Sequence, residues 1–278
     1  VLFGLETDPS LAAGLVNFYG KCGKLDAAQF ILDKLPEGNL VAWTAMITSY
    51  AQYRQENEAF LLYEKIQSKG FSPNKVTFVC ILSAVANAEA LSEGRSVHAA
   101  VLNSEFYGDV MIMTALVMYG KCSCEEDARK TFDEIQQPNL ISWNTMLSVY
   151  SQCNSTLQLF GQMQQKKILP NKVTFVIVLD ACASIETLRK GSCSHSLAIQ
   201  MGFDLDLDVQ NAIINMYSKC GASMEAFAVF NDIRQDVVSW NAMLSCFSQL
   251  GHGKRSIELF EQMQGEGTKP DEVTFLLC

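Results

Sequence analysis

Three cysteines in this chain each follow a lysine, which raises the question of whether any of them is chemically reactive. Cys22 lies in "NFYGKCGKLDAA", between Lys21 and Gly23. A neighbouring cation can lower the pKa of a thiol and favour the nucleophilic thiolate. The setting recurs in "MYGKCSCEEDA" and "MYSKCGASMEA", where Cys122 follows Cys22 by 100 residues and Cys220 follows Cys122 by 98. Because a catalytic cysteine does not normally occur three times, we interpret all three as small apolar groups near helix ends.

Other candidate chemical residues are equally weak. Cys122 and Cys124 form a Cys-x-Cys spacing without a further nearby Cys or His, which is a poor zinc signal. His98 and His195 occupy equivalent places in related segments, so we expect packing or a local hydrogen bond, and His252 lies in a "GHG" turn as a solvated loop residue. We find no Ser/His/Asp order, no glycine-rich phosphate loop and no His-x-Glu with paired Cys-x-x-Cys. The sequence predicts no enzyme activity, metal or cofactor for this chain.

Composition narrows the class of protein. The net charge of −9 lacks the basic excess that accompanies bulk binding to nucleic acid or anionic membranes. The longest apolar runs, such as "FVCILSAVANA", fall short of the roughly 20 residues of a membrane span, so we expect a soluble chain with no membrane partner. The cysteines lie within apolar helical patterns and are expected to be reduced. The chain begins with Val1 and stops at Cys278 within an apolar pattern, so both ends are interpreted as cuts through a longer protein.

A long internal repeat predicts the fold. "LVAWTAMITSY" at 40 recurs as "LISWNTMLSVY" at 140 and "VVSWNAMLSCF" at 237, and "NKVTFVCILSA" at 74 recurs as "NKVTFVIVLDA" at 171. Within the period, Trp43, Met46, Ile47 and Tyr50 share one face of a helix, and Ala59, Leu62, Tyr63 and Ile66 share one face of a second. Neither helix can bury its stripe alone. The pattern therefore predicts an all-α, right-handed α-solenoid of stacked helix-turn-helix pairs with a concave groove.

These segments carry a resemblance to a known family. "VVSWNAMLSCFSQLGHGKRSIELFEQMQGEGTKPD", "TFVIVLDACASIETLRKGSCSHSLAIQMGFDLD" and "NAIINMYSKCGASMEAFAVFNDI" resemble the standard, long and short motifs of plant-type pentatricopeptide repeats. The resemblance covers essentially the whole chain and implies one repeat array over residues 1–278. The implied full motifs are 9–39, 40–74, 75–109, 110–139, 140–171, 172–206, 207–236 and 237–271, with partial motifs at 1–8 and 272–278.

One motif departs from the pattern. Tyr50 and Tyr63 are 13 residues apart, whereas Tyr150 and Phe160 are only 10 apart. Three residues are thus missing between the two helices of motif 140–171, and we expect its second helix to start late and to pack poorly.

The family resemblance implies which residues contact a ligand. Repeats of this class bind single-stranded RNA, one base per repeat, and the resemblance assigns base reading to the fifth and last residues of each motif. The polar pairs at these places are Thr44/Asn74, Thr114/Asn139, Asn144/Asn171, Asn211/Asp236 and Asn241/Asp271. The alternative is that the Asn and Asp residues only cap the following helix. Capping alone does not explain the Thr or Asn in the preceding helix.

The resemblance further implies adenine for the Thr/Asn pairs, a pyrimidine for Asn144/Asn171 and uracil for the Asn/Asp pairs. The pairs Ala13/Asn39, Val79/Asp109 and Val176/Asp206 carry no such information, which predicts the site N-A-N-A-Y-N-U-U, 5′ to 3′ alongside the chain. Apolar second residues would hold the bases apart, and these are Val41, Val76, Met111, Ile141, Val173 and Val238. Asp208 breaks that series.

The resemblance therefore implies the RNA-recognition array of a mitochondrial or chloroplast C-to-U editing factor, with editing accessory proteins or a deaminase as further partners. One alternative is a role in organellar RNA splicing, stability or processing. Another is a protein-interaction scaffold of the tetratricopeptide kind, which a basic carboxylate clamp in the groove would favour. The polar pairs favour RNA.

Overall fold

The computed structural model describes residues 9–35, 39–106, 108–150, 154–233 and 235–277, and within these ranges it contains seventeen α-helices and no strand. The predicted all-α class is confirmed. The helices are α1 Pro9–Lys21, α2 Leu25–Lys34, α3 Leu40–Gln52, α4 Glu56–Ser68, α5 Lys75–Asn87, α6 Leu91–Leu102, α7 Asp109–Lys121, α8 Glu125–Asp133, α9 Leu140–Val149, α10 Asn154–Gln165, α11 Lys172–Ser184, α12 Leu188–Gln200, α13 Leu207–Lys219, α14 Ser223–Asp232, α15 Val237–Gln249, α16 Gly253–Gly265 and α17 Glu272–Leu277.

The chain divides into two compact units, Val1–Pro138 and Asn139–Cys278. In the first unit, α1 to α8 form four antiparallel pairs, and the first helix of each pair contacts the first helix of the next. The predicted stripes are confirmed, because Trp43, Met46 and Ile47 on α3 and Tyr63 and Ile66 on α4 are all buried. The core of this unit therefore lies between stacked pairs, which makes each pair depend on its neighbour.

The second unit repeats this arrangement. Helices α9 to α16 form four pairs, and α17 packs on α15 as the first helix of a further pair would. Trp240 is fully buried at the start of α15, with its ring 4.8 Å from that of Phe230 on α14 in an edge-on arrangement. Met146 and Met243 are also fully buried, as the helical spacing predicts. Aromatic and methionine side chains thus fill the space between successive pairs.

Each described turn within a pair passes through one residue of positive φ. Glycine occupies three of these places, and Arg54, Glu89, Ser123 and Glu186 occupy the others at φ between 51° and 56°. The glycines are Gly23, Gly221 and Gly251. Glycine is the residue that adopts this conformation at least cost, so the turn geometry is fixed by the fold even where the sequence does not favour it.

The shortened motif packs differently from the prediction. Helix α10 begins only one residue late relative to α4 when Phe160 is aligned with Tyr63, and Thr156, Leu159, Phe160 and Met163 on α10 are buried. The expected poor packing is wrong. Helix α9 has 10 residues where α3 and α15 have 13, so the deletion removes the last turn of the first helix. Residues 151–153 lie outside the described residues.

The first helix of each described pair starts at, or one residue from, the first residue of a predicted motif. The division into motifs itself stays a prediction. No helix among the described residues combines the length and the apolar character needed to cross a membrane.

Candidate functional site

The last residue of most predicted motifs caps the helix that follows. The Oδ1 atom of Asn74 accepts a hydrogen bond from the backbone N–H of Thr77 at 2.9 Å, and Asn171 and Asp271 do the same for Thr174 and Thr274 at 3.0 and 2.8 Å. Asn39, Asn139, Asp206 and Asp236 cap their helices in the same way. Such caps satisfy N–H groups that have no partner within the helix. These residues therefore do cap the following helices, as the capping alternative predicts.

The capping side chains also reach the preceding first helix. Nδ2 of Asn144 donates to Oδ1 of Asn171 at 3.1 Å, and Nδ2 of Asn241 donates to Oδ1 of Asp271 at 3.0 Å. Asn74 donates from Nδ2 to the hydroxyl of Thr44 at 3.3 Å. Nδ2 of Asn211 lies 3.4 Å from both carboxylate oxygens of Asp236. Four of the five predicted pairs are thus brought into contact, because neighbouring first helices lie side by side.

The pairs leave defined polar groups for a ligand. Asn74 uses Oδ1 for the cap and one amide proton for Thr44, so it keeps a second amide proton as a donor. Asn171 uses Oδ1 both for the cap and for the amide of Asn144, so it keeps both of its amide protons as donors. Asp236 uses Oδ1 for its cap, and its carboxylate keeps lone pairs for an incoming donor. Hydrogen bonds from the backbone of Thr274 and from the side chain of Asn241 lower the pKa of Asp271, which keeps that carboxylate charged. Asn caps therefore offer donors, and Asp caps offer acceptors.

A third polar residue, not identified from the sequence, completes three of these networks. The hydroxyl oxygen of Thr77 lies 2.9 Å from that of Thr44, and the hydroxyls of Thr174 and Thr274 donate to Oδ1 of Asn144 and Asn241, both at 2.7 Å. All three threonines are fully buried. The signal was the exact recurrence of "VTF" at 76, 173 and 273. This sequence pattern did not indicate that the threonine contacts the preceding first helix.

Apolar side chains project beside the pairs. Five of the six predicted second residues are between 46% and 68% exposed although they are branched aliphatics, namely Val41, Val76, Ile141, Val173 and Val238. Val273 holds the same position on α17 and is 51% exposed, and the sequence analysis missed it because it lies in a partial motif. In each unit, exposed aliphatic side chains therefore recur at one position of successive first helices, close to the polar pairs.

Asp208 stands at this position in α13 and forms an ion pair. Its Oδ2 accepts from Nζ of Lys172 at 2.9 Å, and the same ammonium lies 3.6 Å from Asp206. The row of aliphatic side chains is therefore interrupted by an exposed charged cluster, as the sequence predicts.

Two predicted residues on α7 are out of register with the other repeats by one residue. His195 and its hydrogen-bond partner Tyr217 are 22 residues apart in sequence, whereas the equivalent His98 and Tyr119 are 21 apart. The difference arises because α6 is one residue shorter than α12. The predicted 35-residue motif 75–109 is therefore one residue too long, so the positions assigned to the next motif are shifted by one. Thr114 matches the buried Ala212 instead of Asn211, and Met113 takes the fifth place.

Met111 shares this offset. It is fully buried, as is its true counterpart Val209, so it is not available to touch a base. Thr114 lies in the first unit and Asn139 in the second. The side chain of Asp109 lies outside the described residues.

A cavity of about 650 Å³ opens beside the first of these pairs. Its walls include Thr44, Asn74 and the exposed Val41 and Val76, together with the small Ala13 and Gly14 on α1. No lysine or arginine appears among the described residues that line it. The cavity is suited to a flat, uncharged group with polar edges.

The cysteines and histidines behave as structural groups. Burial raises the pKa of Cys122 and of Cys220, which disfavours the thiolate, and Cys22 is exposed at the end of α1. His98 and His195 each place Nδ1 within hydrogen-bond distance of a tyrosine hydroxyl, at 2.9 and 3.0 Å, as predicted. Within the described ranges no group of three or more His, Cys, Asp or Glu side chains could hold a metal ion.

The sequence matches known repeat profiles and known repeat-containing proteins. A profile described as PPR repeat family matches residues 38–87, 138–184 and 235–277, and one described as PPR repeat matches 211–236, which together make up more than half of the chain. Three pentatricopeptide repeat-containing proteins of Arabidopsis thaliana are 38%, 32% and 34% identical to 98% of this chain. The second is named chloroplastic and the third mitochondrial. The chain spans only 38%, 34% and 40% of their lengths.

Solved structures show the same fold. The crystal structure of the pentatricopeptide repeat protein PPR10 in complex with an 18-nt psaJ RNA element matches 99% of this chain and 42% of that chain, with a TM-score of 0.79 at 19% identity. A crystal structure of PPR10 from maize matches 97% of this chain and 45% of that chain, with a TM-score of 0.60. The stacked helix pairs are thus a known architecture.

Proposed function

The chain belongs to the pentatricopeptide repeat family, and from that premise we propose that it binds single-stranded RNA with sequence specificity, one base per repeat. The observation that carries the proposal is the contact between fifth and last residues in four repeats. Each contact leaves a donor or acceptor unused at the helix edge. Those are the groups that a base edge requires.

The unused groups suggest which base each pair takes. Asn74 beside Thr44 keeps an amide proton for an acceptor such as N1 of adenine, and Asn171 beside Asn144 offers a donor to a pyrimidine. Asp236 and Asp271 accept from the N3 imino proton of uracil. Because Met113 replaces Thr114 at the fourth repeat, the proposed site becomes N-A-N-N-Y-N-U-U, 5′ to 3′ alongside the chain. The repeats with Ala13, Val79 and Val176 contribute no base preference.

The exposed aliphatic residues support binding by stacking. A base between Val41 and Val76 would remove both from water while its edge faces Thr44 and Asn74. Asp208 offers no apolar surface at the corresponding place, so contact is weakest between Val173 and Asp208. A peptide-binding scaffold is less well supported, because no described cation lines the cavity to hold a carboxylate.

The biological role that we propose is RNA recognition for C-to-U editing in mitochondria or chloroplasts. Relatives named mitochondrial or chloroplastic support the compartment. The standard, long and short repeat series resembles that of editing factors. In this role the array selects the transcript, and a deaminase that acts as a further module or a partner protein modifies the cytidine. A role in splicing, stability or processing would use the same array.

Fluorescence anisotropy tests the RNA proposal. The chain is titrated into a labelled RNA containing N-A-N-N-Y-N-U-U and into the same RNA with the adenine and both uracils exchanged. We expect the exchanged RNA to bind at least about tenfold more weakly, since three hydrogen bonds are lost at about 0.5–1.5 kcal/mol each. Equal affinity for the two RNAs would contradict base reading by these pairs.

A further inference from the structure

We propose that the hydroxyl residue at the third position of each following first helix determines how strictly the preceding fifth residue discriminates bases. The inference rests on the proposed RNA binding and adds a positioning residue to it. It predicts that the two chemically identical Asn/Asp pairs of this chain differ in selectivity, because one is followed by Thr274 and the other by Ser239.

The two hydroxyls share one contact and differ in another. The oxygen of Thr274 accepts the backbone N–H of Asp271 at 3.1 Å, and the oxygen of Ser239 accepts the backbone N–H of Asp236 at 2.8 Å. The proton of Thr274 points to Oδ1 of Asn241 at 2.7 Å and to Oδ1 of Asp271 at 2.8 Å. The proton of Ser239 instead points to the backbone carbonyl of Asp236 at 2.8 Å. Only threonine therefore reaches the preceding helix.

The fifth residues differ accordingly. Asn241 has its carbonyl oxygen held by Thr274 and one amide proton held by Asp271 at 3.0 Å, which leaves a single amide proton for a base. Asn211 contacts Asp236 only at 3.4 Å, and its Oδ1 is buried without a hydrogen-bond partner. Since a buried unpaired acceptor is costly, the weakly held amide of Asn211 gains by turning so that either its oxygen or its nitrogen meets a base edge. It tolerates donors and acceptors, whereas Asn241 tolerates only an acceptor.

The side-chain chemistry explains why threonine, and not serine, contacts the preceding first helix. Threonine is branched at Cβ and has fewer χ1 options than serine in a helix. Its hydroxyl is held toward the preceding helix in α5, α11 and α17 alike. In contrast, Ser142 and Ser239 both turn back to the carbonyl of their own cap residue at 2.8 Å. The distinction thus holds at all five described helices that carry Thr or Ser at this position and an Asn or Asp cap.

The test compares base preference at two nucleotides of one RNA. For the chain as it is, and for Ser239→Thr and Thr274→Ser, affinities are measured with each of the four bases opposite Asn211/Asp236 and opposite Asn241/Asp271. We expect the preference at Asn241 to exceed that at Asn211 by about threefold to tenfold, the range of one hydrogen bond. Ser239→Thr should raise the preference at Asn211 to the level at Asn241. Thr274→Ser should lower the preference at Asn241.

Each variant has an internal control, because its effect should be confined to one nucleotide. A purely structural role would change the melting temperature or the affinity for all sequences alike. Equal preference at both nucleotides, unchanged in both variants, would overturn this inference and leave the RNA proposal standing. Absence of any base preference in the unmodified chain would overturn both.

Discussion

Asn241 and Asp271 are 30 residues apart in sequence, yet the amide of the first donates to the carboxylate of the second over 3.0 Å. The contact joins the fifth residue of α15 to the residue that caps the start of α17. The residue that caps one helix therefore also completes a polar site on the preceding first helix. Side chains in such a pair cannot be changed independently, and the predictions below depend on that coupling.

Replacing Asp271 by Asn should change which base is preferred without unfolding α17. The Oδ1 atom of the new amide still caps Thr274, but the acceptor that would take the imino proton of uracil becomes a donor. We expect the preference to move from uracil toward cytosine, whose N3 is an acceptor, with a change of about tenfold in the uracil-to-cytosine ratio. Fluorescence anisotropy with the two RNAs measures it. Asp232→Asn removes the same charge from an exposed position on α14 and should leave the ratio unchanged.

Replacing Asp208 by Val should strengthen RNA binding. The substitution restores the aliphatic row and frees Lys172, whose ammonium is held at 2.9 Å by the carboxylate. We expect affinity to rise about threefold to tenfold at low salt, because a negative charge is lost and an apolar contact is gained. Asp208→Asn separates the two causes, since it removes the charge alone. Weaker binding by Asp208→Val would show that Asp208 contributes to the contact with RNA.

Two helical glycines should respond to alanine with opposite signs. A Cβ atom at Gly191 would collide with the sulfur of Met216, whereas one at Gly161 would meet nothing within 4 Å. We expect Gly191→Ala to lower the free energy of unfolding by about 1–3 kcal/mol through overpacking. Gly161→Ala should raise it by up to about 1 kcal/mol through helix propensity. Urea unfolding of the two variants measures both, and equal effects would contradict the described packing.

Acidification should destabilise the fold through His98 and His195. Burial lowers the pKa of both from the ordinary value of 6.5, with Glu134 and Asp127 opposing the shift at His98. The unfolded chain therefore binds more protons than the folded chain below pH 6.5, so the stability from these groups is complete above that pH and is lost as pH falls toward the lower folded values.

The measurement is the melting temperature between about pH 7.5 and pH 5.5, the range in which neutral imidazole becomes charged. The double variant His98→Gln, His195→Gln should show a shallower decline on acidification than the unmodified chain. The quantity to compare is the slope of melting temperature against pH, because the substitutions also change the stability at neutral pH. An identical slope in the two proteins would contradict the assignment.

Much of the fold was predictable because repetition averages out local ambiguity. The spacing of Trp43, Met46 and Ile47 identified a buried face, and its recurrence identified stacked pairs. The pairing of Asn144 with Asn171 also followed from the repeat once the family resemblance was recognised. Each of these features depends on the repeat period, which can be recognised because the related segments occur three times in the sequence.

The errors occurred where the period changes by a few residues. Helix α6 is one residue shorter than α12, which shifts Thr114 and Met111 by one residue from the predicted register and leaves Met111 buried. Helix α9 is shortened by a deletion that we expected at the turn before α10, because the buried stripe of α10 contributes more to stability than one further turn of α9. The contact of Thr174 with Asn144 was not predictable, since it depends on where a hydroxyl proton points and Ser and Thr look interchangeable in a sequence pattern.

The double use of the cap residue limits how this array can acquire new targets. An alanine at Asn171 or Asp271 would remove a helix cap, at a cost of about 0.5–2 kcal/mol, along with the polar group offered to the base. Asn and Asp are both strong caps, yet one offers a donor and the other an acceptor. A single nucleotide change in the gene exchanges their codons. Under the proposed base reading, evolution can therefore exchange one target base for another at these positions in one mutational step that leaves the helix intact.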